Sequence, residues 1–146
     1  MTIVAEILRS KPDGAVHAIA PTATVFEALR LMADKCIGAL LVREGDAIVG
    51  IITERDYARK IALVGRTSGE TQVRDVMTSS VLCVRSSQTS EECMQLMTGK
   101  RLRHLPVVDD GQLLGMISIG DLVKDIISEQ KFIIEQLEHY ITGGGH

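Results

Sequence analysis

The chain has 146 residues, a formal net charge of -3 at pH 7 and only 3% aromatic residues. This length is typical of about one domain and allows roughly two-thirds of the unfolded chain's surface to be buried. The acidic balance argues against a nucleic-acid-binding surface, which normally needs a clustered positive face. No apolar run approaches the ~20 residues that span a bilayer, and the amino terminus has no long apolar region. We therefore expect a cytoplasmic protein with no nucleic acid and no membrane as partner.

The sequence contains one unit that is written twice. Residues 17–61 align without a gap to residues 82–126, a constant shift of 65 positions. The stretch GIITERD, which begins at Gly50, reappears as GMISIGD at Gly115. Such self-similarity at a fixed shift indicates a duplicated structural unit.

Each repeat predicts the element order β-α-β-β-α. A short β-branched stretch, AVHAIA or VLCVR, precedes Thr-x-x-Glu at Thr24 or Thr89, which is the capping-box signature of a helix start. A segment with helical spacing of apolar residues follows. Two apolar runs separated by a turn with Gly45 or Gly111 then predict a hairpin, and the spacing after the hairpin is helical again.

The repeats divide the chain into four segments. We assign residues 1–65 to an N-terminal helix and the first repeat, residues 66–80 to a connector with one or two helical turns, and residues 81–127 to the second repeat. Residues 128–146 form a C-terminal helix extension and a Gly-rich tail. One face of the last helix is apolar and includes Ile126, Ile127, Ile133, Ile134, Leu137 and Ile141. This face can serve self-association or pack back onto its own chain.

Nothing in the sequence predicts catalysis. None of the four histidines has an acid or a nucleophile at a catalytic spacing, and no P-loop, GxGxxG or HExxH is present. The cysteines Cys36, Cys83 and Cys93 lack CxxC spacing, so we expect buried thiols. We predict no catalytic residues, no metal site and no enzymatic activity.

A hydroxyl residue and an Asp mark the start of the last helix in both repeats. Thr53 precedes Asp56 by three positions, as Ser118 precedes Asp121. A hydroxyl N-cap with an acid at N3 resembles a capping box, but the reciprocal arm is usually Glu or Gln, and Asp is shorter. The alternative is a ligand site: the hydroxyl and the helix N-terminus suit a phosphate, and the Asp can accept two hydrogen bonds from a ribose diol.

The duplicated unit resembles a tandem cystathionine-β-synthase (CBS) domain pair, also called a Bateman module. The residues that carry the resemblance are GxxxT/SxxD at the end of each hairpin and RHLPVVDDGQLLGMISIGDL in the second repeat, over roughly residues 6–126. The resemblance implies an α/β (α+β) fold in which two β-α-β-β-α repeats are related by a pseudo-two-fold axis, followed by the long C-terminal helix. The first repeat departs from the LPVVD pattern at Leu41, where the second has Pro106.

The resemblance also implies two nucleotide-binding clefts. One is expected to combine Ile37, Gly38 and Ala39, against the adenine, with Ser118 and the ribose-binding Asp121 of the opposite repeat. The other is expected to combine Leu102, Arg103 and His104 with Thr53 and Asp56. Arg103 and His104 are the expected phosphate contacts of this second cleft. Further candidates are Arg55, Lys11 and Thr78, which aligns loosely with Lys11.

The function implied by the resemblance is a stand-alone, bacterial-type regulatory module for signal transduction. Its ligand is expected to be AMP, ADP, ATP or NAD, with S-adenosylmethionine a weaker candidate. We expect a homodimer that acts on a separate effector protein. The alternative is a structural or adaptor protein with vestigial clefts that acts through its C-terminal helix.

Overall fold

The computed structural model describes residues 2–11 and 16–142, which form a mixed α+β fold. In chain order the elements are α1 (Val4–Ser10), β1 (Ala18–Ile19), α2 (Val25–Lys35), β2 (Ala39–Glu44), β3 (Ala47–Thr53), α3 (Glu54–Tyr57), α4 (Ser90–Lys100), β4 (His104–Asp109), β5 (Gln112–Ser118) and α5 (Ile119–Thr142). A π-helical turn, Ala58–Ala62, continues α3, and a 3-10 turn, Val73–Asp75, lies in the connector. The fold class with a long C-terminal helix is confirmed. The Gly-rich tail lies outside the described residues.

The chain divides into two compact units. The first unit is Ala15–Leu82, and the second unit combines Met1–Gly14 with Cys83–His146. Helix α1 therefore belongs with the second repeat, although it precedes the first repeat along the chain. The connector belongs with the first repeat. The boundaries drawn from the sequence had placed α1 with its neighbour in the chain.

The first unit contains a three-stranded sheet in the order β1-β2-β3. Strand β1 is parallel to β2, and β2 is antiparallel to β3 through a two-residue loop in which Gly45 has a φ of +63°. Helix α2 begins with a complete capping box: the Glu27 N–H donates to Thr24 Oγ1 and the Thr24 N–H donates to Glu27 Oε2, each at 3.1 Å. The capping box expected at Thr24 is thus present. The buried core of this unit consists of Val25, Ala28, Met32, Leu40, Val42, Ile52, Ile61, Val73 and Val76.

The second unit contains the antiparallel pair β4 and β5. Asp110 and Gly111 join them with φ angles of +50° and +79°, as a type I′ turn requires. The strand predicted for VLCVR is wrong, because only Val84 forms an isolated parallel bridge, with Val107. The backbone donors just beyond this bridge are taken by side chains: the Arg85 N–H donates to Gln88 Oε1 and the Ser86 N–H to the Asp109 carboxylate.

A second repeated element supports the two units. Ile3 pairs with Thr89 in the second unit, and Gln72 pairs with Thr24 in the first. Ile3 and Gln72 are related by a shift of 69 positions, which also relates Val4 to Val73, both fully buried. The sequence shows this element as VAEIL at residues 4–8 and VRDVM at residues 73–77. We call residues 4–11 and 73–78 the two supporting segments. The segment before each repeat therefore packs in the unit of the other repeat.

The cysteines are not all buried. Cys93 is buried in α4. Its burial, and to a smaller extent the negative charge of the nearby Glu92, raise its pKa to about 11. The expectation of buried thiols is wrong for Cys36 and Cys83, which are exposed. Cys36 lies at the surface because it caps the end of α2 in the left-handed conformation, with a φ of 56°.

The glycine that opens each GxxxT/SxxD motif allows the supporting segment to approach the hairpin. A Cβ atom on Gly50 would lie 2.6 Å from Met77 Sδ and 3.0 Å from the Thr78 carbonyl oxygen. A Cβ atom on Gly115 would lie 2.8 Å from Leu8 Cδ2. The two glycines are therefore explained by packing in both units.

We expect Gly50→Ala to lower the free energy of unfolding by about 1 to 3 kcal/mol, because the backbone oxygen of Thr78 cannot rotate away as a side chain can. Urea unfolding measures this change. The matched control is Gly69→Ala, where nothing lies within 4 Å of the added Cβ atom, and the change should stay below about 1 kcal/mol. Equal effects of the two substitutions would contradict the packing explanation.

Candidate functional site

The hydroxyl residue and the Asp form complete capping boxes in both units. The Asp56 N–H donates to Thr53 Oγ1 at 3.1 Å and the Thr53 N–H donates to Asp56 Oδ2 at 3.0 Å. At α5 the Asp121 N–H donates to Ser118 Oγ at 3.2 Å and the Ser118 N–H donates to Asp121 Oδ2 at 2.8 Å. The objection that Asp is too short for the reciprocal arm is wrong. The extended backbone of the N-cap residue, with φ of -126° at Thr53, brings its N–H within reach of the shorter side chain.

The carboxylate of the first unit also binds groups from elsewhere in the unit. Asp56 Oδ1 accepts a hydrogen bond from Thr78 Oγ1 at 3.3 Å and lies 3.3 Å from Lys60 Nζ. Lys60 also donates to the Val76 carbonyl oxygen at 2.8 Å. Lys60 was not among the expected site residues, although its spacing of four residues from Asp56 on a helix is a recognisable signal. Thr78 reaches the acid because the connector packs against β3, where it pairs with Ile51.

The carboxylate of the second unit is held by a lysine from the N-terminal segment. Lys11 Nζ lies 3.0 Å from Asp121 Oδ2 and donates to the Met116 carbonyl oxygen at 2.7 Å. Burial of Asp121 raises its pKa, but hydrogen bonds from Ser118 and Lys11 and the charge of Lys11 together outweigh burial and leave the pKa below its ordinary value. Asp121 is therefore ionised at neutral pH.

The stretches expected to contact adenine lie beside the helix start of their own unit. Ala39 is opposite Thr53 in the β2–β3 pair, and the Glu54 N–H donates to the Gly38 carbonyl oxygen at 3.1 Å. In the second unit His104 is opposite Ser118 and the Ile119 N–H donates to the Arg103 carbonyl oxygen at 2.9 Å. The pairing of each stretch with the acid of the opposite repeat stays a prediction.

The remaining candidates differ in exposure. Arg103 and Arg55 are exposed, while Ile37, Leu102 and His104 are half-buried. Arg55 lies in the first turn of α3, as expected. In the second unit Lys11 lies at Asp121, and the backbone of Arg103 bonds to the first residue of α5.

This arrangement offers the groups that a nucleotide needs. An ionised carboxylate has about four acceptor positions, and the capping bond occupies one of them. Among the described residues, the Ser118 N–H and the Lys11 ammonium group both reach Asp121 Oδ2, which leaves Oδ1 as an acceptor. Hydroxyl groups, nearby cations and the N-terminus of the 24-residue helix α5 favour an anion at the same place.

Comparisons with known proteins identify the family. The CBS domain model matches residues 4–63 and 73–128. The chain therefore belongs to the CBS domain family and contains a tandem pair. The two matches begin 69 positions apart, at the first buried valine of each supporting segment.

Relatives of known sequence or structure cover nearly the whole chain. The mitochondrial CBS domain-containing protein CBSX3 of Arabidopsis thaliana is 39% identical over 151 residues, which is 98% of this chain and 73% of that protein. A solved structure of a CBS-domain protein from Burkholderia ambifaria MC40-6 is 53% identical, with a TM-score of 0.86 over 88% of this chain and 96% of that one. The structure of CBSX2 in complex with AMP is 27% identical, with a TM-score of 0.71 over 88% and 98% of the two chains.

Among residues 2–11 and 16–142, no helix is both long enough and apolar enough to span a membrane.

We expect Lys11→Met to lower the free energy of unfolding at pH 7 by about 1 to 2 kcal/mol, because it removes a charge-assisted hydrogen bond to a mostly buried carboxylate. The folded-state pKa of Asp121 is lowered, so its contribution is present above the unfolded pKa of about 3.9 and is lost as the pH falls through the folded value. The difference from wild type should therefore shrink below about pH 4.

Urea unfolding at neutral and acidic pH measures this difference. The matched control is Arg59→Met, an exposed residue one helical turn after Asp56, which should show a small difference at both pH values. A loss for Lys11→Met that is the same at both pH values would contradict a contribution through Asp121.

Proposed function

We propose that the chain is a non-enzymatic regulatory module that binds an adenosine nucleotide at the helix starts marked by Asp56 and Asp121. The observation that carries the proposal is that a separate segment delivers a polar group to the capping acid in each unit: Thr78 in the first and Lys11 in the second. Capping alone does not need these groups. The capping box of α2 consists of Thr24 and an exposed Glu27.

Burial of the two acids supports the same conclusion. The side chains of Asp56 and Asp121 are only 12% and 16% exposed. Removing a carboxylate from water is costly unless other groups compensate, and an exposed Glu caps α2 without this cost. The two repeats therefore maintain a partly buried carboxyl acceptor for a purpose other than starting a helix. A sugar with neighbouring hydroxyl groups supplies the two O–H donors that such an acceptor can bind.

Both units offer polar groups that suit an anion beside the capping acid. In the second unit Ser118 supplies a hydroxyl at the N-terminus of α5, Lys11 lies 3.0 Å from Asp121 Oδ2, and the Arg103 carbonyl oxygen accepts a hydrogen bond from the Ile119 N–H. A guanidinium and an ammonium group both bind phosphate well. In the first unit the corresponding groups are Thr53, Lys60 at 3.3 Å from Asp56 Oδ1, and the exposed Arg55.

The ligand class is proposed from the family as well as from the geometry. The relative CBSX2 has been solved in complex with AMP. For this chain we propose AMP, ADP, ATP or NAD, with S-adenosylmethionine a weaker candidate. The adenine would contact the backbone of Ile37–Ala39 or of Leu102–His104, where aliphatic side chains and peptide groups leave little trace of base identity in the sequence.

The biological setting is part of the proposal. We propose that the module acts in the cytoplasm as a homodimer and regulates a separate effector protein. Regulation requires that the nucleotide bind one conformation of the module more tightly than another, because a ligand with equal affinity for both shifts nothing. The named relative from Arabidopsis thaliana is mitochondrial, so localisation experiments on this chain must distinguish the two compartments.

A second candidate function is that of an adaptor that binds a partner protein through α5. The exposed apolar side chains of this helix favour it, including Ile134, Leu137 and Ile141 at 54%, 55% and 79% exposure. An adaptor would not need to bind nucleotides.

We expect AMP, ATP or NAD to raise the melting temperature, since a ligand at a hundredfold excess over its Kd stabilises the folded state by about 2.7 kcal/mol. Asp56→Asn and Asp121→Asn each remove a charged acceptor and should weaken binding at their own site by about ten- to a hundredfold. 2′-deoxy-AMP should lose less affinity than AMP on these substitutions. Isothermal titration calorimetry measures each affinity.

Glu27→Gln is the matched control, because it changes the capping acid of α2 and leaves both proposed sites intact. It should bind AMP as the wild type does. The proposal fails if no nucleotide changes the melting temperature, a result that would favour the adaptor. It also fails if both Asp variants bind AMP as tightly as the wild type.

A further inference from the structure

Helix α5 carries an apolar stripe that the described residues of the chain do not cover. We define the α5 stripe as Val123, Ile127, Ile133, Ile134, Leu137, Tyr140 and Ile141, whose exposures lie between 44% and 79%. Every residue from 131 to 141 is exposed. Within residues 2–11 and 16–142 nothing covers this face, which argues against packing back onto the same chain, one of the two roles left open by the sequence.

The charges on α5 argue against a membrane surface as the occupant. The helix contains two lysines against five acidic residues. Helices that lie on anionic lipid surfaces are rich in Lys and Arg on their polar face. An acidic amphipathic helix is better suited to another protein helix.

We propose that the α5 stripe pairs with the α5 stripe of a second copy of this chain in an antiparallel arrangement. The stripe follows a heptad pattern, with Ile127, Ile134 and Ile141 at position a. Val123, Gln130 and Leu137 occupy position d. The two stripes would meet over about 27 Å of helix at 1.5 Å per residue.

In an antiparallel pair, a single register pairs a position-a residue of one copy with a position-d residue of the other copy in every core layer. In this register Val123 meets Ile141 of the second copy, and Ile127 meets Leu137 of the second copy. The central layer pairs Gln130 with Ile134 of the second copy. Gln130 is the one polar residue among the a and d positions of the heptad pattern. The interface is self-complementary, as a two-fold dimer requires.

The flanking positions distinguish antiparallel from parallel pairing. Position g is apolar throughout, with Ile126, Ile133 and Tyr140, whereas position e holds Lys124, Lys131 and Glu138. Antiparallel pairing brings g against g and e against e, so that the apolar residues meet each other. Parallel pairing brings g against e and would place Lys131 and Glu138 against apolar side chains of the second copy.

The charges on the e side agree with the same register. Lys124 would face Glu138 of the second copy, and this pair occurs twice by symmetry. Lys131 would face its own equivalent near the two-fold axis, where exposed charges of like sign cost little. The pattern thus gives two opposite-charge pairs against one like-charge pair.

The available area fits a stable dimer. The seven stripe residues expose on the order of 700 Å² of surface per copy, close to the ~800 Å² that each partner buries in a standard interface. The pairing does not depend on the proposed nucleotide binding, because no stripe residue belongs to the proposed sites.

Disulfide cross-linking tests the pairing on the full chain without any nucleotide. In a Cys36→Ser/Cys83→Ser background only the buried Cys93 remains. Adding Val123→Cys and Ile141→Cys together should give covalent dimers on mild oxidation, because the two positions meet across the antiparallel interface within the 4.4 to about 6.8 Å that a disulfide spans between Cα atoms. Either substitution alone should give none, since equivalent positions lie about 27 Å apart.

Two further variants distinguish the contribution of the stripe from that of the opposite side of α5. Ile134→Glu in the double-cysteine background should reduce the yield of covalent dimer at least tenfold. Phe132→Glu is the matched control, because Phe132 is 61% exposed on the opposite side of α5, and its yield should be unchanged. Circular dichroism confirms that each variant is folded.

The proposal is overturned if the double-cysteine variant forms no covalent dimer. It is also overturned if Ile141→Cys alone cross-links, which indicates parallel pairing, or if Ile134→Glu leaves the yield unchanged. Failure of nucleotide binding in the melting experiment would leave the cross-linking result as it stands, so the two proposals fail separately.

Discussion

The reciprocal hydrogen bonds between a hydroxyl residue and the Asp three positions later organise both units of this protein. They end the hairpin, start the following helix and fix the position of a carboxylate at that junction. The supporting segment can reach the carboxylate because the glycine at the start of the motif leaves no side chain in its path. The GxxxT/SxxD motif is therefore first a structural device, and the proposed ligand site uses acceptor capacity that remains after capping.

The two units use this device with different charges. Lys11 supplies an ammonium group to Asp121, while Asp56 receives the Thr78 hydroxyl and the ammonium group of Lys60 from its own helical segment. Lys11 comes from a segment far away in the sequence, so its position depends on the packing of α1. An anion that binds beside Asp121 would compete for or share Lys11. The two sites are therefore expected to differ in affinity and in phosphate preference.

Much of the fold could be predicted from the sequence. The shift of 65 positions located both hairpins, the helix starts and the marked Asp residues, because these features rest on local capping, turn chemistry and periodicity. The strand expected at VLCVR was wrong because the Gln88 and Asp109 side chains occupy the backbone donors that a longer ladder would need. Cys36 was misjudged because a helix C-cap at the surface leaves no mark in cysteine spacing.

Long-range packing was the main feature that the sequence analysis missed. The grouping of α1 with the second repeat follows from contacts between residues more than 80 positions apart, such as Ile3 with Thr89. The signal was present as VAEIL and VRDVM at a shift of 69, but it does not share the shift of the main repeat. The role of Lys60 was missed for a different reason, since a lysine on a helix surface is usually only solvated.

The central claim is that the capping carboxylates also bind the sugar of a nucleotide, and a crystal structure of the AMP complex tests it most directly. The account predicts that ribose hydroxyl oxygens lie within about 3.2 Å of the Asp121 or Asp56 carboxylate, while the bonds to Ser118 and Thr53 persist. A complex in which the ribose contacts neither acid, with AMP bound elsewhere on the protein, would contradict it.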